Sequence, residues 1–175
     1  MKFVFSSILF LFFLCSCNNS SEKKKDLVNG WSTKKSIAFN KEIIEEEDLT
    51  IRAFLAHRTD LKMKKSGTGL RYMIYENGNG EKAKSGDSVS VIISVKSLEN
   101  NTLYYQTDST EFDQFLVDRN HLERGINEAV QYMRVGDKSK LIIPSHLAHG
   151  ILGDRDKIPS FCILFVDLEL KELNR

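Results

Sequence analysis

His146 and His149 stand three residues apart in Pro144-Ser145-His146-Leu147-Ala148-His149-Gly150, a spacing that can begin a metal site. No third or fourth ligand accompanies them, so no metal is assigned. Cys162 lies in the apolar run 161–166, which predicts a buried, inert thiol rather than a nucleophile. The chain has no glycine-rich phosphate loop and no serine-triad order. Asp154-Arg155-Asp156-Lys157 reads as a charged loop tip, solvated or touching a partner.

One cysteine invites a different chemistry. Lys2 precedes an apolar run over 3–14, at roughly 12 residues shorter than the about 20 that a membrane span needs. Such a run fits the hydrophobic core of a secretory signal. Leu14-Cys15-Ser16-Cys17 follows it and resembles a bacterial lipobox, with cleavage after Ser16 and acylation of Cys17. Lipid chains at about 0.8 kcal/mol per buried methylene then anchor the chain. Cys15 leaves with the signal and Cys17 takes lipid, so Cys162 has no partner for an intramolecular disulfide. Asn18 follows the cysteine, and no Asp there speaks for inner-membrane retention.

The elements that position these groups follow from periodicity. Of 175 residues, 41% are hydrophobic and 28% charged, which predicts a globular domain with extras. A formal charge of +1 and the absence of a basic block in the folded part exclude a nucleic-acid surface. Residues 17–36 read as a lipidated tether in which Lys23-Lys24-Lys25 is solvated or touches anionic lipid. Trp31 packs on the domain or meets the membrane interface. A helix is predicted over 40–58, capped by Asn40, with Ile44, Ile51, Phe54 and Leu55 on one face. That face packs on the following domain or on a partner helix. Residues 61–66 read as a basic linker.

From Gly69 the period becomes two. Strands are expected over 70–75, 89–95, 103–105, 115–117, 138–143 and 161–173. Ile126, Ala129, Val130 and Met133 form one helical stripe, and Gly136 is expected to end that helix. The fold class is α+β: five or six antiparallel strands wrapped over one short helix, preceded by a helical extension.

Ser66-Gly67-Thr68-Gly69-Leu70-Arg71-Tyr72, Gly78-Asn79-Gly80, Gly86-Asp87-Ser88-Val89, Met133-Arg134-Val135-Gly136, Ala148-His149-Gly150, Ile158-Pro159 and Leu164-Phe165-Val166-Asp167-Leu168-Glu169-Leu170 occur in one order. That ordered set resembles an FKBP-type peptidyl-prolyl isomerase domain. The resulting division is signal peptide 1–16, tether 17–36, helical extension 37–65 and FKBP-type domain 66–175. Asn101-Thr102-Leu103-Tyr104 and the 144–150 loop look most like the family's gliding-motility lipoproteins.

The resemblance implies a non-covalent isomerase that needs no cofactor and binds proline in an apolar pocket. The family's first pocket tyrosine falls on Ile93, its phenylalanine on Tyr104 and its aspartate on Tyr105. The next aromatic falls on Phe112 or Asp113. The apolar pair before Arg-Gly becomes Leu122 and Glu123, the second supplying a backbone N–H. The pocket-floor tryptophan falls on Ile126, the loop tyrosine on His149, the isoleucine on Ile158 and the last strand's phenylalanine on Val166. The resemblance assigns catalysis to Tyr104, Glu123 and His149, and substrate contact to the others. Expected partners are proline-containing or unfolded exported proteins and, through lipid on Cys17, the membrane of a bacterial envelope, on its periplasmic side. The many replaced aromatics open an alternative: an FKBP-fold chaperone or assembly factor with little turnover.

Overall fold

In the computed structural model, residues 33–107, 112–119 and 123–174 are described. Cys17, Trp31 and Leu122 lie outside them. The structure below concerns the unit Phe39–Arg175. Helix α1 spans Thr33–Ala56, earlier at both ends than the predicted 40–58. Asn40 is therefore inside the helix and caps nothing. No glycine or proline interrupts Thr33 to Phe39, so nothing stops helical propagation upstream of Asn40.

Among the described residues, seven strands form one antiparallel sheet: β1 (Lys64–Lys65), β2 (Arg71–Glu76), β3 (Ser88–Ser97), β4 (Leu103–Gln106), β5 (Asp113–Leu116), β6 (Lys138–Ile143) and β7 (Leu164–Asn174). Their order is β1-β2-β6-β7-β3-β4, with β5 also paired to β3. The strand beyond the expected six is β1, inside the stretch read as a linker. Its two lysines pair with Tyr72 and Arg71 at the edge of the sheet, where lysine deters further pairing. Strand β7 starts at Leu164 rather than Phe161, because Phe161 has φ of 57° and belongs to a turn.

Helix α2 (Arg124–Val130) lies under the sheet. Ile126, Ala129, Val130 and Met133 are all buried, as the stripe predicts, although Met133 belongs to the turn after the helix. They join Ile93, Val95, Leu141, Ile143, Leu164, Val166, Leu168 and Leu170 in the main core. Fully burying one such aliphatic side chain contributes about 1.5–3 kcal/mol. Gly136 does not end this helix: its φ of 91° serves the turn into β6, and its N–H donates to the Leu170 carbonyl at 2.7 Å.

A second core lies on the other face of the sheet. There Ile51 of α1, 1% exposed, meets Leu98, Ile142 and Ile163, with Phe54 and Leu55 packed alongside. Ile44, expected on the same face, is exposed. Asp48 of α1 adds a polar tie, pairing with the buried Arg71 guanidinium at 2.5 Å and with Lys65 at 2.9 Å. The face of α1 read as packing on the domain or on a partner helix thus packs on the sheet through Ile51.

Candidate active site

The alternation of β3 and β7 decides which predicted residues meet. Ile93 faces the core because it shares the period of Val89, Val91 and Val95. Val166 does so on β7, opposite Val95 and Leu141. Ile126 comes from the first turn of α2 and Ile158 from the loop before β7. All four are buried in one cluster, with Tyr104, Ala148 and Cys162 packed at its edge. The four positions expected to form an aliphatic floor thus belong to one buried core cluster.

Gly125 explains how α2 comes so close to the sheet. A Cβ there would stand 2.4 Å from the Ile143 Cγ2 atom, so the helix reaches its position only without a side chain at 125. Glu123, just before the helix, has φ −49° and ψ 130°, and its carbonyl accepts the N–H groups of Ile126 and Asn127. Its side chain, 13% exposed, accepts a hydrogen bond from or pairs with His149, Oε1 to Nε2 at 2.9 Å. Two residues to which the resemblance assigns catalysis thus touch each other.

His149 stands between two tight turns, Ser145–Leu147 and Gly150–Leu152. The other histidine of the loop serves elsewhere: His146 Nε2 contacts the Thr68 carbonyl at 3.0 Å. Beyond His149, burial pushes the Asp154 carboxyl up, but the N–H groups of Asp156 and Ile158 bond it. Together with Lys157 and His149 they hold it below its ordinary range. That turn fixes the approach to Ile158.

Tyr104 is half-buried, and its hydroxyl lies 3.6 Å from Cys162 Sγ. Burial first and this contact second raise the phenol above its usual pKa. Cys162 is thus half-buried at the edge of the site, not sealed in the core as the apolar run predicts, because the chain turns at Phe161 before β7 begins. Tyr105, next along β4, is 45% exposed, and its hydroxyl donates to both oxygens of Asp113, at 2.8 and 2.7 Å. Its partner Asp113 also accepts from the Thr107 hydroxyl, which in turn accepts the Ile93 N–H at 3.0 Å. Phe112 is 38% exposed just ahead of β5. The structure therefore buries Ile93, Ile126, Ile158 and Val166 in one core cluster against which Tyr104 packs, joins Glu123 to His149, and leaves Tyr105 and Phe112 exposed.

Sequence reasoning missed Thr107 and Cys162. Thr107 carries the only hydroxyl in Gln106-Thr107-Asp108 that follows the strand, a weak signal; Cys162 became visible only through the turn at Phe161. Among the described residues no cluster of three or more His, Cys, Asp or Glu side chains is arranged to hold a metal ion.

An antiparallel sheet wrapped over one short helix, with a hydrogen-bonded loop beside an apolar floor, defines the FKBP-like class of fold. The sequence model of the FKBP-type peptidyl-prolyl cis-trans isomerase family matches residues 79–171, and the chain belongs to that family. It is 32% identical over 144 residues to the FKBP-type peptidyl-prolyl cis-trans isomerase FkpA of Aeromonas hydrophila, covering 78% of this chain and 50% of that one. To the peptidyl-prolyl cis-trans isomerase FKBP15-3 of Arabidopsis thaliana it is 30% identical, covering 79% of this chain and 96% of the relative. The chain thus spans half the length of the first relative and nearly all of the second. A crystal structure of a peptidyl-prolyl cis-trans isomerase from Pseudomonas syringae superimposes with a TM-score of 0.62 at 26% identity, over 74% of this chain and 96% of that one.

Proposed function

We propose that this protein is a peptidyl-prolyl cis-trans isomerase for exported proteins, held at a bacterial cell envelope by lipid on Cys17 and facing the periplasm. The observation that carries the activity is the aliphatic floor of Ile93, Ile126, Ile158 and Val166, edged by Tyr104 and by the Glu123–His149 pair. The anchor rests on the sequence Leu14-Cys15-Ser16-Cys17, and the subgroup on the likeness to gliding-motility lipoproteins.

The chemistry asks little of side chains. Rotation about an X-Pro bond breaks amide resonance, against a barrier of about 18–20 kcal/mol. The twisted amide has lost charge separation, so a dry apolar floor favours it over the planar form. The proline ring sits on the aliphatic floor. The Glu123 N–H and the Tyr104 hydroxyl donate to neighbouring carbonyls of the peptide and hold it while the bond turns, and His149, its Nε2 against Glu123, holds that residue in place.

The test is a coupled assay on an X-Pro peptide with the full chain in detergent. Acceleration that is lost in Tyr104→Ala and in His149→Ala supports the isomerase; an inactive wild-type protein sinks it. A second reading, a chaperone or assembly factor on the same fold, is favoured by the aliphatic character of the floor. It predicts slowed aggregation of unfolded proteins without turnover. Radiolabelled palmitate entering the wild-type chain but not Cys17→Ala checks the anchor.

A further inference from the structure

We propose that Glu47 of α1 is a positioning residue for this site: it holds the loop that presents His149. The inference rests on the isomerase reading for its consequence, but the geometry stands apart from it. Glu47 is 6% exposed, and its Oε2 accepts the Ser145 N–H at 3.0 Å. Ser145 opens the tight turn Ser145–Leu147, in which Leu147 donates to the Pro144 carbonyl and Ala148 to the Ser145 carbonyl, both at 2.9 Å. The first N–H of such a turn has no carbonyl behind it and needs an outside acceptor. No side chain of the turn's own N-cap supplies one, since that residue is Pro144. Glu47 does so from 98 residues away.

Two residues beyond this turn stands His149, with its ring against Glu123. The loop is held on its far side as well. Phe39 of α1 meets the Phe161 ring edge-on at 6.1 Å, and the Phe161 N–H donates to the Gly150 carbonyl at 2.9 Å. Helix α1 therefore touches the His149 loop before and after the histidine.

Docking of the helix does not need Glu47. Ile51 in the second core and the Asp48–Arg71 pair already fix it. Moreover, Glu47 Oε1 is buried without a hydrogen-bond partner. A buried, half-satisfied carboxylate is a costly anchor. Its place is explained by what the other oxygen does for Ser145.

The experiment compares Glu47→Ala and Glu47→Gln in the full chain, by X-Pro peptide turnover and by hydrogen exchange resolved along the sequence. Glu47→Ala is expected to lower kcat/KM about tenfold, with KM within about twofold of wild type. Amide exchange should quicken over 145–150 and stay unchanged in β3 and β7. Glu47→Gln keeps an acceptor for Ser145 and should restore both readings. Unchanged turnover and exchange in Glu47→Ala overturns the proposal. So does exchange that rises equally in the sheet, or a glutamine variant no better than alanine. If the wild-type protein shows no turnover, the isomerase reading fails on its own, and the exchange pattern alone decides for or against Glu47. Should Glu47→Ala not fold, Glu47→Asp withdraws the carboxylate by one methylene, and the same comparison applies.

Discussion

His149 Nε2 lies 2.9 Å from Glu123 Oε1, joining the long loop before β7 to the residue that opens helix α2. The Glu123 side chain is 13% exposed, so this contact is shielded from most solvent. The two residues act as one unit, and their substitutions should not add. Glu123→Ala and His149→Ala are each expected to lower kcat/KM about tenfold, a loss of about 1.4 kcal/mol. The double variant should lose little more than either single one. Additive losses in the peptide assay would show that the pair is not coupled.

Gly125 makes a prediction about stability. Its substitution by alanine drives a methyl group into Ile143, and overpacking of this kind costs about 1–3 kcal/mol. Ile143→Ala removes the Cγ2 atom that is struck. The double variant should therefore be more stable than the sum of the two single losses, by at least about 0.5 kcal/mol. Urea unfolding of the four proteins measures the difference.

Asp48 predicts a response to acid. The Lys65 ammonium holds its carboxyl below the ordinary 3.8, partly opposed by burial and reinforced by Arg71. A carboxyl lowered in the folded state stabilises fully above its unfolded pKa and loses that contribution as pH falls through the lower, folded value. Between about pH 5 and about pH 2, the melting temperature of the wild-type protein should fall further than that of Asp48→Asn. Parallel curves in a thermal-melt series would remove Asp48 from the account.

Tyr104 and Tyr105 are neighbours with opposite fates. Tyr104 packs at the edge of the aliphatic floor; Tyr105 is 45% exposed and spends its hydroxyl on Asp113. Tyr105→Phe is expected to change stability by less than about 1 kcal/mol, because Asp113 still accepts from Thr107. Its peptide turnover should stay within about twofold of wild type, whereas Tyr104→Ala should lose about tenfold or more.

Periodic features of the fold are legible in the sequence. The stripe of Ile126, Ala129, Val130 and Met133 is buried as read, and β7 alternates Leu164, Val166, Leu168 and Leu170 into the core. Local rules failed where a distant neighbour decides. Asn40 carries a capping side chain, yet the helix runs through it, since nothing upstream stops the turn. Gly136 looks like a helix stop but serves the turn into β6, with its N–H on Leu170 of β7. The burial of Ile93 and Val166 was readable in the same sense from strand alternation, and that of Ile126 from its helical stripe. The Glu123–His149 contact, the Tyr104–Cys162 contact and the Glu47–Ser145 bond join residues far apart in the chain, and no local pattern encodes them.

Strand β7 lies between β6 and β3, and the ladder it makes with β3 joins Ser88 to Asn174 and Ser97 to Leu164. The centre of the sheet is therefore its least local part. Loop-closure entropy must be overcome before that ladder forms, and folds dominated by such distant pairings reach the native state slowly, in about milliseconds to seconds. Until β7 arrives, β3 and β6 each keep an unpaired edge that invites association with other chains. A protein proposed to assist the maturation of others thus carries, in its own topology, a window in which it is itself at risk.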